Sequence, residues 1–132
     1  MILQDYYNYI SVQPTVTAYI PNIYDVQAPE DADLPWIIIA VSSGIRRKLT
    51  YGKMQGRSWL RVTCDVGPND RVKGANAINE VVSLTENYRG DLGNTKDVHM
   101  SCSEPRSWPG TGGAYRYQVD IEIIYTYDYI EP

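Results

Sequence analysis

A chain of 132 residues suits one domain with one core, here taken as residues 1–132. Its formal net charge of −4 excludes a general nucleic-acid binder, whose surface would be basic overall, but leaves room for a local basic site. Cys64 and Cys102 form neither a CxxC pair nor a metal-ligand spacing, and one histidine, His99, cannot by itself build a zinc site or a catalytic pair.

The first ten residues carry no basic run ahead of an apolar one, so they do not read as a secretory signal. Leu3, Tyr6, Tyr7 and Ile10 recur at helical spacing. Pro14 suits the first position of a second short helix, Val16, Tyr19 and Ile20 continue its apolar face, and Pro21 ends it. Residues 24–35 form a polar connection with four acids, Asp25, Glu30, Asp31 and Asp33. The stretch WIIIAVSS, 36–43, reads as a strand buried on both faces. Its apolar run is far short of the roughly 20 residues that span a bilayer, so a soluble protein made in a cytoplasm is expected.

The next segment, GIRRKLTYGKMQGR (44–57), holds Arg46, Arg47, Lys48, Lys53 and Arg57, with Arg61 close behind. These six make up half of the 12 Lys and Arg residues, and no acid occurs between Asp33 and Asp65. Glycines at 44, 52 and 56 predict a long hairpin connection or arm. In RSWLRVTCDV, 57–66, Leu60, Val62, Cys64 and Val66 alternate with Trp59, Arg61, Thr63 and Asp65, which predicts a strand with one face on the core.

A helix is expected over 70–88, with Asn69 as N-cap, a stripe of Val72, Ala75, Ile78 and Val82 widened by Val81 and Leu84, and Gly90 as its stop. Residues 97–105 read as a weak strand and 106–113 as a loop. The alternation of Tyr115, Tyr117, Val119, Ile121, Ile123, Tyr125 and Tyr127 with mainly polar residues is the strongest strand signal. The fold class expected is α+β: a mostly antiparallel sheet of about four or five strands, helices on one face, and a long β-hairpin arm.

No catalytic constellation stands out. There is no GxSxG elbow, and GTGG at 110–113 lacks the lysine and helix of a phosphate loop. Asp120 and Glu122 share one strand face, which is most simply a solvated face or a cross-strand salt bridge rather than an acid–base or metal pair. Trp108, Tyr127 and Tyr129 lack the interleaved cations that base stacking requires. The protein is therefore read as no enzyme and as needing no cofactor or metal. The basic arm is left with three readings: a solvated loop, a nucleic-acid site, or a protein contact. Its only strongly acidic counterpart is 25–33 of the same chain, so a neighbouring copy is one candidate partner.

The order of elements resembles the tail-terminator (tail-completion or head–tail joining) proteins of long-tailed bacteriophages, over about residues 5 to 127. YYNYISVQPTVTAYIPNIYDVQAPEDADLPWIIIAV looks like the family's opening helices and first strand. RVTCDV followed by NDRVKGANAINEVVSLTENYRGDLG looks like its central strand and long helix, and CSEPRSWPGTGGAYRYQVDIEIIY like its closing hairpin. The basic stretch and the Tyr-rich tail match no signature of the family.

The resemblance implies a virion protein at the head-proximal end of the tail. It implies a homo-oligomeric ring, usually of six subunits, that caps the tail tube, ends its polymerisation and docks the head connector. Genome DNA would pass the lumen without specific binding, and no membrane is involved. Under that reading Arg46, Arg47, Lys48, Lys53 and Arg57 are candidate subunit or tube contacts. Glu30, Asp31, Asp120 and Glu122 are candidates to line the lumen. The alternatives are a head-closure or neck subunit, and a small α+β nucleic-acid-binding module using residues 44–61.

Overall fold

The computed structural model describes residues 2–50 and 53–128, with side chains at all of these except 46–50, 111, 127 and 128. Its elements are α1 (Ile2–Ser11), α2 (Pro14–Thr17), β1 (Ile23–Asp25), β2 (Trp36–Thr50), β3 (Lys53–Val66), α3 (Arg71–Thr85), β4 (Arg89–Leu92), β5 (Thr95–Cys102), β6 (Arg106–Pro109) and β7 (Tyr115–Asp128). The strands form one sheet in the order β1-β2-β3-β7-β5-β4, with β6 on the same side of β7 as β5 but further along it. Only β1 and β2 run parallel. The expected α+β architecture is present, in a seven-stranded mixed sheet. Three short strands, β1, β4 and β6, extend the expected four or five, and β6 lies where a loop was expected.

Alternation on β3 and β7 decides which face is covered. Leu60, Val62, Cys64, Val66, Val119, Ile121 and Ile123 are all fully buried, joined by Ile37 and Ile39 from β2 and Met100 from β5. The helices close this face, α1 against β1, β2 and β4, and α3 against β7, β3 and β5. The expectation that β2 is buried on both faces fails. Ile37 and Ile39 are sealed but Ile38 between them is only half-buried, because no layer covers the other side; Val41, in phase with the sealed pair and opposite Leu60, is exposed where β2 reaches its bulge.

Helix α1 buries Ile2, Leu3, Tyr6 and Ile10, as its spacing requires. Tyrosine supplies what phenylalanine, absent from this chain, could not. The Tyr6 hydroxyl meets the buried Thr85 hydroxyl at 2.8 Å, Tyr7 donates to the Ile23 carbonyl at 3.1 Å, and Tyr9 donates to the Leu84 carbonyl at 2.9 Å. One helix is thus tied to both α3 and β1 by groups that would otherwise carry a desolvation penalty.

Helix α3 differs from expectation in phase and in both ends. It buries Gly74, Ala77, Ile78, Val81 and Thr85, while Val72 is exposed. Asp70, not Asn69, is the N-cap, and its side chain makes no capping bond. The chain turns at Asn87, with φ 61°, before Gly90 is reached. The phase follows from close packing: a Cβ on Gly74 would lie 2.7 Å from the Tyr117 ring, so glycine lets the helix settle on β7.

Beyond the helices the sheet continues as an arm. β2 and β3 stay paired past a bulge at Val41/Ser43 to Thr50 opposite Lys53, and β7 accompanies β3 as far as Lys53 opposite Asp128. The expected long hairpin is present in β2 and β3, and β7 backs it as a third strand. Gly56 is not a hinge in it: it sits under the Tyr125 ring, which occupies the space of a Cβ.

Candidate interaction surface

The uncovered face of β3 and β7 carries a strip of matched charges, set by register. Arg61 stands opposite Asp120, Thr63 opposite Gln118, and Asp65 opposite Arg116. The Arg61 Nε lies 3.0 Å from Asp120 Oδ1, and Arg106, from β6, brings Nη2 to 3.2 Å from Asp120 Oδ2. Gln118 is 7% exposed beneath both guanidiniums; with its amide oriented to satisfy them, its oxygen accepts from Arg61 at 3.0 Å and from Arg106 at 2.9 Å. Arg57 approaches Glu122 at 3.9 Å. Exposed pairs of this kind contribute about 0–1 kcal/mol each, so they offset most of the strip's charge more than they hold the fold.

At the helix-proximal end of the strip the geometry tightens. Arg116 donates through Nε and Nη2 to Asp65 at 2.6 and 3.1 Å, and Trp36 Nε1 donates to the same carboxylate at 3.0 Å. The Asp65 bond raises the Arg116 guanidinium further above its already high value, so it stays charged. Beside this cluster a groove of about 630 Å³ is lined by Leu34, Trp36, Trp108, Pro109, Gly110, Ala114, Asp65 and Arg116. Both Leu34 and Trp108 are exposed there.

Burial pushes the Cys64 thiol up to about 12; burial and then the Glu86 carboxylate do the same for Cys102. Neither is a thiolate nucleophile at neutral pH. No group of three or more His, Cys, Asp or Glu among the described residues is placed to hold a metal. No helix among them is long and apolar enough to cross a membrane.

The sequence-predicted positions fall into separate groups. Asp120 and Glu122 lie on the uncovered face, each beside arginine, as the cross-strand salt-bridge reading expected. Glu30 and Asp31 are exposed in the crossover between β1 and β2. Arg46, Arg47 and Lys48 lie on the distal half of β2, with side chains outside the described ones; Lys53 opens β3, and Arg57 follows on the uncovered face. Sequence reasoning missed the Trp36–Asp65–Arg116 cluster and its groove. Each residue was legible as a strand residue, but only the register of three strands brings them together.

No known family matches the chain, and no curated protein matches it. Among solved structures, a chain from the structure titled "Virion of native gene transfer agent (GTA) particle" shares the fold, with a TM-score of 0.70. The match covers 93% of this chain and 94% of that one at 8% sequence identity. The fold described above is therefore the end-to-end fold of a chain found in a virion.

Proposed function

We propose that this protein is a virion structural protein of the tail-terminator type: a ring of identical subunits that caps the tail tube, stops its growth and offers a docking surface to the head connector. The observation that carries the reading is the fold likeness to a virion chain over nearly the full length of both proteins. The order of elements in the sequence supports it independently. A sheet that runs on past its helices as a three-stranded arm gives such a subunit a lever toward a neighbour or a tube.

The charge strip suits a surface passed by DNA. Each guanidinium on it engages a carboxylate, four sharing three: Arg61 and Arg106 both with Asp120, Arg57 with Glu122, Arg116 with Asp65, which leaves the strip one positive charge from neutral. Unmatched cations would hold phosphates in a salt-dependent way; matched ones let them slide. Asp120 and Glu122 are proposed to face the lumen in this arrangement.

Electron microscopy of the purified protein mixed with polymerising tail-tube subunits tests the reading. Tubes of bounded length with a density capping one end are expected. Unbounded tubes with bare ends would overturn it. Tight binding to duplex DNA at moderate salt would favour the nucleic-acid alternative at 44–61 instead.

A further inference from the structure

The fold sets the chain's two charge concentrations far apart. The acids Asp25, Glu30, Asp31 and Asp33 occupy the end of β1 and the crossover that leads into Leu34 and Trp36. The cations Arg46, Arg47 and Lys48 lie near the other end of β2. Asp25 is level with Ile39, seven residues before Arg46, or roughly 23 Å along an extended strand. Trp36 and Thr50, at the two ends of β2, stand roughly 46 Å apart by the same rise. Both distances far exceed the Debye length of about 8 Å at physiological salt. Within one copy these charges do not neutralise each other.

We propose that the arm of one copy docks into the groove at Leu34, Trp36 and Trp108 of the next, with its cations against the acidic crossover that borders this groove. The proposal rests on the ring-forming reading above and specifies its subunit contact. The occupant is a second copy for two reasons. The charges are complementary between the two ends and not within one. The groove sets Leu34, Trp36, Trp108 and Pro109 beside the Asp65–Arg116 pair, with further acids in the chain next to it, and the arm matches this mixture by carrying Ile45 and Met54 among its cations. Ile45 is 59% exposed, an apolar side chain that a single copy leaves in water. A contact of one end with the other is heterologous, so repeating it closes a ring or extends a filament.

Two charge-reversed proteins test this, their assembly read as mass by light scattering and sedimentation. One carries Arg46→Glu with Arg47→Glu; the other carries Asp31→Lys with Asp33→Lys. Asp31 and Asp33 are exposed in the crossover, and Arg46 and Arg47 lie on the distal part of β2, well along the strand from Ile37 and Ile39. The wild-type protein is expected to form a species of more than two copies at low salt that dissociates at about 0.5 M salt. Each variant alone is expected to be monomeric, and an equimolar mixture of the two is expected to reassemble, since each then offers the other an opposite charge. Trp108→Ala is expected to weaken assembly without altering the circular dichroism. A wild-type monomer, a two-copy species, variants that assemble as the wild type does, or a mixture that stays monomeric would overturn the proposal. A protein that caps tubes although its arm variant still assembles refutes this contact and leaves the capping function standing; rings that form as described but leave tubes bare do the reverse.

Discussion

Asp65 and Arg116 face each other across β3 and β7, joined by two hydrogen bonds of 2.6 and 3.1 Å, with the Asp65 side chain only 9% exposed. A third donor, Trp36 Nε1, completes the carboxylate's environment from β2. Three neighbouring strands are thereby pinned in register at one end of the sheet, where the groove begins. The guanidinium itself is 44% exposed, so solvent shares in its stabilisation.

Removing the cation is expected to cost more than removing the pair. Arg116→Met leaves a nearly buried carboxylate with the Trp36 N–H as its one remaining donor. Destabilisation of about 2–3 kcal/mol is expected, below the 3–5 kcal/mol of a fully buried broken pair because the arginine is partly solvated. Adding Asp65→Asn to that variant is expected to recover part of the loss. Urea unfolding of the single and double variants measures the difference, and a double variant no more stable than Arg116→Met would show that the charge is not the cause.

Much of the fold was legible because its signals are local. Alternation in 57–66 and 115–127 named the buried face of β3 and of β7, and helical spacing named Tyr6 and Ile10. The failures share a physical reason. β1, β4 and β6 are three or four residues long, and β6 contains Pro109 and buries nothing; what makes it a strand is the neighbouring backbone of β7. The run at 37–39 looked doubly buried because its middle residue is an isoleucine too, yet Ile38 is only partly covered on a face without a second layer. The phase of α3 was missed because Gly74 and Ala77 join Ile78 and Val81 on its buried side, where the apolar pattern had pointed to Val72 and Ala75. The basic arm was visible as charge, but its backing by β7 and its distance from the acidic crossover are properties of the assembled sheet.

The Tyr6 hydroxyl gives a second test, on the joint between α1 and α3. Tyr6→Phe keeps the buried ring and strands the Thr85 hydroxyl, which is fully buried. A loss of about 1–2 kcal/mol is expected from one unsatisfied buried polar group. In Tyr6→Phe with Thr85→Val both hydroxyls are gone, and the loss is expected to shrink. Additive losses in this cycle would mean the bond contributes nothing.

Alkaline pH is expected to weaken the fold through Cys64. Burial lifts its thiol from 9.0 to about 12, so the folded state keeps a proton that the unfolded chain has released. The stabilisation is complete below pH 9 and is lost as pH rises toward 12, with a slope of at most about 1.4 kcal/mol per pH unit for one group. The Tyr6 hydroxyl, raised by burial, acts in the same direction. Unfolding midpoints followed from pH 8 to pH 11 should fall in the wild type and fall less in Cys64→Ala. Equal slopes would exclude the thiol as the source.

At Gly74 two effects oppose each other, and their sizes decide the outcome. Alanine gains about 1 kcal/mol of helix propensity over glycine. Its Cβ, however, would meet Tyr117 at 2.7 and 2.8 Å and the Val66 Cγ1 at 3.1 Å. The ring has little room to retreat, because its hydroxyl donates to the Arg71 carbonyl at 2.9 Å and its face leans on Tyr115. Overpacking of this kind costs about 1–3 kcal/mol, so Gly74→Ala is expected to be neutral to destabilising by about 2 kcal/mol in spite of its better propensity. Trimming the obstacle should reverse the sign: in a Tyr117→Val background the same substitution is expected to stabilise. If Gly74→Ala instead stabilises the wild type by the full propensity gain, the close seat of α3 on β7 is not what fixes the helix phase.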